Sequence, residues 1–90
     1  GVISVVSNLA PAQVTKLTMA ALEGDMETAR SLHYQLLPFF KGAFCDGNPT
    51  SIKYAMNYKG LPAGGLRLPL VEANDNAKKT IEAALAESGL

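Results

Sequence analysis

His33 and Cys45 are the residues of this sequence best suited by type to acid–base or nucleophilic chemistry near neutral pH. Neither has the company such chemistry needs. A general base works on a partner acid or nucleophile held at fixed geometry. His33 is the single histidine, set among Leu32, Leu36 and Leu37 with no serine or cysteine motif around it, and reads as a structural or surface residue. Cys45 falls at a helix C-terminus, where the dipole opposes a thiolate; activation calls for a base or a helix N-terminus instead. Lys16, Lys41, Lys53, Lys59, Lys78 and Lys79 include none in the apolar surroundings that a Schiff-base lysine requires. Lys53, directly after Ile52, reads as a salt bridge or helix contact. Asp46 and Asp75 stand alone and His33 has no ligand partner four residues on, so no metal set is expected. Gly64-Gly65 precedes neither a helix start nor Lys-Ser/Thr and is not a phosphate loop. No catalytic residue, metal or cofactor is therefore expected in this chain.

Composition removes further classes. The 90 residues, 9.5 kDa, allow one small domain, with 48% apolar residues and no tryptophan. A chain this short buries roughly 60–65% of its extended surface, enough for one helical core and too little to surround a deep pocket. Eight basic and eight acidic residues cancel, and no basic stripe appears, so nucleic acid is not the expected partner. A helix-turn-helix reading of the first two helices would offer Arg30 alone as a base-reading cation beside His33, Tyr34 and Gln35. No apolar run approaches the ~18 residues of a membrane span, and Gly1–Val6 lacks the flanks of a signal peptide. One cysteine permits no internal disulfide, which fits a cytoplasmic location. Asn48-Pro49-Thr50 carries proline at the position that bars glycosylation.

The elements that would hold these residues are mostly helical. The β-branched run Val2-Ile3-Ser4-Val5-Val6 reads as a buried strand, and nothing downstream supplies the neighbours it needs; its sheet is expected upstream of Gly1. Pro11 opens a helix to about Leu22 with Val14, Leu17, Ala21 and Leu22 inward, and Gly24 stops it. Asp25 caps a second helix that runs from Met26 through Leu37, kinks at Pro38 and continues, its last turn weakened by Gly42, to about Phe44. Its stripe is Ala29, Leu32, Leu36, Phe39 or Phe40, Ala43 and Phe44. A third helix spans about Pro49 to Lys59 with Ile52, Ala55 and Met56 inward, ended by Gly60. Leu61–Ala73 is an extended strap pressed onto helices, with Leu66, Leu68 and Leu70 alternating. Asn74 caps a fourth helix, Asp75 to Glu87, with Ala77, Ile81, Ala84 and Leu85 inward.

Three stretches together resemble one family. Gly1-Val2-Ile3-Ser4-Val5 is similar to the eighth barrel strand of the dihydrodipicolinate synthase family. Asn48-Pro49-Thr50-Ser51-Ile52-Lys53 resembles its Asn-Pro-Ile-Pro-Val-Lys segment, with Thr50 and Ser51 departing from the pattern. Leu66-Arg67-Leu68-Pro69-Leu70 resembles its Leu-Arg-Leu-Pro segment. The resemblance implies a mainly α chain: residues 1–23 as the last strand and following helix of a (β/α)8 barrel, and residues 24–90 as an appended C-terminal helical domain. It implies a parent lyase that joins pyruvate to aspartate semialdehyde through a Schiff base in lysine (diaminopimelate) biosynthesis. N-acetylneuraminate lyases and ketodeoxygluconate aldolases are the alternative relatives. The Schiff-base lysine and tyrosine relay of that family match nothing here, since Tyr34, Tyr54 and Tyr58 lie in helices of the appended domain. Ile3 alone carries over to the site, as a residue beside bound pyruvate. A barrel needs roughly 250 residues, so this chain is expected to be inactive alone. It is also expected to form a homo-oligomer, driven by its strand and by Phe39, Phe40 and Phe44.

Overall fold

The structure is a computed structural model that describes residues 2–90. Four α-helices follow one short 3-10 turn at Val6–Asn8: α1 (Pro11–Leu22), α2 (Met26–Gly42), α3 (Thr50–Tyr58) and α4 (Asp75–Glu87). The termini of α1 and α4 fall where the sequence signals place them. Asp25 accepts from Thr28 N at 3.1 Å and Asn74 from Ala77 N at 2.8 Å, so both expected caps form. Hydrogen bonding to Thr28, through its side chain first and its backbone N–H second, lowers the Asp25 carboxyl from its ordinary value. Gly24, Gly60 and Gly89 take φ of 83, 82 and 71°. At each, the next residue's N–H reaches back five positions: Asp25 to Ala20, Leu61 to Met56 and Leu90 to Leu85. These are Schellman stops, which satisfy carbonyls that a helix end would leave bare.

The first element differs from expectation. Among the described residues there is no strand; Val2–Ser4 have no regular structure, and Gly1 lies outside the description. A lone strand has no ladder to satisfy its backbone. Local polar groups satisfy it instead. Ser7 N donates to Ser4 Oγ at 3.1 Å, Ser7 Oγ to Ser4 O at 2.8 Å, and Asn8 Nδ2 to Val5 O at 3.0 Å. This turns the chain at Val5, so that Val6 and Ala10 enter the core while Ile3 and Val2 project outward.

α2 is the central element, packing against α1 on one side and α4 on the other, and α3 closes on α4. The core joins Val6 and Ala10 to Phe39 and Ala43 of α2, Ile52 and Ala55 of α3, and Ile81, Ala84 and Leu85 of α4. α2 passes through Pro38 unbroken and stops at Gly42, short of the expected Phe44. Phe39 is fully buried, Phe40 half-buried and Phe44 exposed, so the aromatic cluster is divided between core and surface rather than forming one sticky patch. On α1 the buried residue is Ala20, while Ala21 and Leu22 face out. The strap carries no strand and is not pressed down by its leucines: Leu66 is half-buried and Leu68 is 85% exposed. Polar bonds hold it: Ala63 N donates to Asn57 Oδ1, Asn57 Nδ2 to Gly64 O and Lys53 Nζ to Gly65 O, and at its end Asn74 N donates to Asp46 Oδ2.

Where α2 crosses α4, a Cβ on Gly42 would sit 2.6 Å from Ala84 Cβ. Helix propensity alone favours Gly42→Ala by about 1 kcal/mol. The clash costs about 1–3 kcal/mol as overpacking, and neither Cβ has a rotamer through which to retreat, so the clash wins. Gly42→Ala is expected to lower the urea midpoint, with the slope unchanged. A raised midpoint would show that the crossing is loose.

Candidate functional site

The segment that carries Ile3 and the one that carries Asn48–Lys53 are far apart in sequence, and the fold brings them together. Ile3, Asn8, Asn48, Pro49, Lys53 and Met56 line one open cavity of about 450 Å³. Ile52, which shares the core with Val6, lines it as well. Ile3 is wholly exposed, at 104% of its reference surface, and touches nothing that would fix its side chain. Val2 beside it is 62% exposed.

The Asn48–Lys53 turn is rigid where it enters α3. Ser51 is fully buried, and its hydroxyl accepts from Asp46 N at 2.8 Å; Asp46 Oδ2 in turn accepts from Asn74 N at 3.2 Å. The turn, the start of α3 and the start of α4 are thus tied in one chain of bonds. Lys53 Nζ donates to Gly65 O at 2.7 Å, so the expected helix contact is a bond to the strap backbone. Tyr54 OH donates to Glu82 Oε2 at 2.7 Å and lies under Lys78 Nζ, 5.5 Å from the ring centroid. The bond to Glu82, followed by burial, pushes the Tyr54 hydroxyl up to about 12.

His33 is exposed, packed edge-on to Tyr34 and tilted against Phe40 with centroids 5.6 and 5.7 Å away. Cys45 is exposed too, with Sγ 3.8 Å from Ala77 O and 4.0 Å from Ser51 Oγ. Neither borders the Ile3 cavity. Sequence reasoning singled out Lys53 but missed the Tyr54–Glu82 tie; the polar i, i+3, i+4 spacing of Thr50, Lys53 and Tyr54 opposite an apolar face was the available signal. No helix is long and apolar enough to cross a membrane among the described residues.

What the geometry defines is a helical unit that presents positioned surface, with a bare apolar segment, rather than a constellation of reacting groups. The sequence model of the Dihydrodipicolinate synthetase family matches residues 1–88, and the chain belongs to that family. It is 48% identical over its full length to the 4-hydroxy-tetrahydrodipicolinate synthase of Methanocaldococcus jannaschii and 42% identical to that of Kosmotoga olearia, covering 31% of each. A crystal structure of dihydrodipicolinate synthase superposes with a TM-score of 0.93 at 47% identity, over 99% of this chain and 31% of that one. The Thermotoga maritima dihydrodipicolinate synthase gives 0.91 at 42% identity, over 99% of this chain and 30% of that one. The chain thus spans about 31% of the length of the curated relatives it matches.

The tyrosine makes a pH prediction. Its folded-state pKa lies above the ordinary 10.0, so the folded state binds the proton more tightly than the unfolded chain. The stabilisation is complete below pH 10, where both states keep the proton, and is lost as pH rises toward about 12. Ultraviolet difference absorbance is expected to show Tyr54 titrating above the ordinary 10.0, and Glu82→Gln is expected to lower it toward that value.

Proposed function

We propose that this chain is the C-terminal portion of a Schiff-base lyase that condenses pyruvate with aspartate semialdehyde in lysine biosynthesis, and that it is inactive alone. The observation that carries the reading is coverage. The whole chain aligns with relatives named 4-hydroxy-tetrahydrodipicolinate synthase, yet accounts for 31% of their length. The Schiff-base lysine and tyrosine relay of the parent enzyme then belong to the other part. In this reading residues 1–23 complete the barrel and residues 24–90 form its helical appendage. Val2–Ser4 pair as strand eight once neighbouring strands supply a ladder, and Ile3 stands as a wall beside pyruvate. The full exposure of Ile3 supports this, since its side chain has no contact to lose on docking. A cytoplasmic location follows from the biosynthetic role.

Borohydride trapping with pyruvate tests it by intact mass. The 90-residue chain is expected to gain no adduct. Mixed with the remaining N-terminal part of the Methanocaldococcus jannaschii relative, it is expected to restore condensation, with the adduct on the larger partner. An adduct on the 90-residue chain would overturn the reading.

Self-association is a second reading, favoured by the exposure of Leu22, Leu68 and Val71, at 71, 85 and 66%. Sedimentation is expected to show dimers or larger species whose proportion rises with concentration. A monomer at every concentration would sink this reading and leave the first intact.

A further inference from the structure

Thr50, Lys53, Tyr54 and Asn57 share one face of α3, at i, i+3, i+4 and i+7. The opposite face, Ile52 and Ala55, is core. The polar face looks across a cleft of about 240 Å³ toward Lys78 of α4 and toward Leu66, Glu72 and Ala73 of the strap. Most hydrogen-bonding capacity in this cleft is already spent. Tyr54 OH is committed to Glu82, and the Asn57 amide uses its oxygen on Ala63 N and its nitrogen on Gly64 O.

Three groups are left over. Lys53 Nζ gives one proton to Gly65 O and has two more to give. Lys78 Nζ stands 3.9 Å from Glu72 Oε2, on a side chain 89% exposed, a pairing that water screens strongly. Thr50 is 6% exposed and lines the cleft, and no buried side-chain oxygen among the described residues lacks a partner, so its hydroxyl, which makes no side-chain bond to the protein, opens to the cleft. The unspent groups are thus two ammoniums and one hydroxyl, and Leu66 and Ala73 supply apolar wall beside them.

We propose that this cleft between α3, α4 and the strap is a binding site for a small organic carboxylate, held by Lys53, Lys78 and the Thr50 hydroxyl with its carbon chain against Leu66 and Ala73. The ligand would join the strap to both helices. The site shares Lys53 with the rim of the Ile3 cavity, yet it asks nothing of barrel chemistry and stands or falls apart from the lyase reading.

Succinate is the probe, added to the full chain while backbone amide shifts are followed, with succinamide and matched sodium chloride as controls. Succinate is expected to move the amides of Thr50, Lys53, Asn57 and Lys78 along saturable curves, while succinamide and chloride leave them in place. Lys53→Met with Lys78→Met is expected to weaken binding at least about tenfold. Lys53 also anchors the strap, so Thr50→Val, which keeps shape and burial, serves as the second variant and is expected to weaken binding severalfold. Shifts that fail to saturate, that chloride or succinamide reproduces, or that survive Thr50→Val undiminished would overturn the proposal. Saturation by inorganic phosphate but not succinate would overturn it as well.

Discussion

The seating of the end of α4 on α2 is the constraint from which the rest of the fold takes its place. Pro38 has no N–H to give the carbonyl of Tyr34, so α2 carries a gap in its own bonding in the turn that is most deeply buried. Ser88 meets that turn. Its hydroxyl is fully buried and accepts from Phe39 N at 3.0 Å, while its carbonyl accepts from Gln35 Nε2 at 3.3 Å. An unpaired polar group there would cost about 1–3 kcal/mol, so α4 has one favourable register along α2. Gly42 opposite Ala84 then sets how closely the axes approach. Polar pairing fixes the slide and the missing Cβ fixes the distance.

From that crossing the other positions follow. Gly89 turns the chain so that Leu90 folds back on the core, and Ile81 and Leu85 fill the space between α2 and α3. α1 depends on it less directly. It covers α2 through a half-buried stripe, with Ala20 its one buried residue, and its outer residues Met19 and Leu22 stay bare. A unit of this size draws little stability from burial alone, and large apolar residues left in water, Ile3 and Val2 foremost, are surface unused in its own folding. That imbalance agrees with a chain that matches under a third of its relatives' length.

The sequence made the helices legible because their ends are written in local chemistry. Asp25 and Asn74 can cap, Pro11 can open, and Gly24, Gly60 and Gly89 can adopt the left-handed turn, each without reference to anything distant. The inner face of α4 was legible for the same reason, since its apolar residues recur at helical spacing. Val2–Val6 form no strand here because strand propensity reports how a segment suits a sheet, and a sheet is a property of neighbours. Ser4 and Ser7, with no ladder to oppose them, decided the local structure. The strap was misjudged because alternation at Leu66, Leu68 and Leu70 says nothing of how Asn57 and Lys53 bind its backbone. The Ile3 cavity could be read only through resemblance: no spacing rule joins residue 3 to residue 53.

The same separation governs what the unit can do. Its rigid polar ties, Ser51 to Asp46 to Asn74 and Tyr54 to Glu82, are all spent on holding backbone or one another, and so have little freedom to exchange protons with a substrate. Groups that perform acid–base work need a poised proton and an open partner. A Tyr54 hydroxyl raised to about 12 is a poor acid near neutrality, and its proton is committed to Glu82. This network therefore suits fixing the mutual position of α3, α4 and the strap. The Asn48–Lys53 turn meets the N-terminal segment through the core that Ile52 shares with Val6 and Ala10.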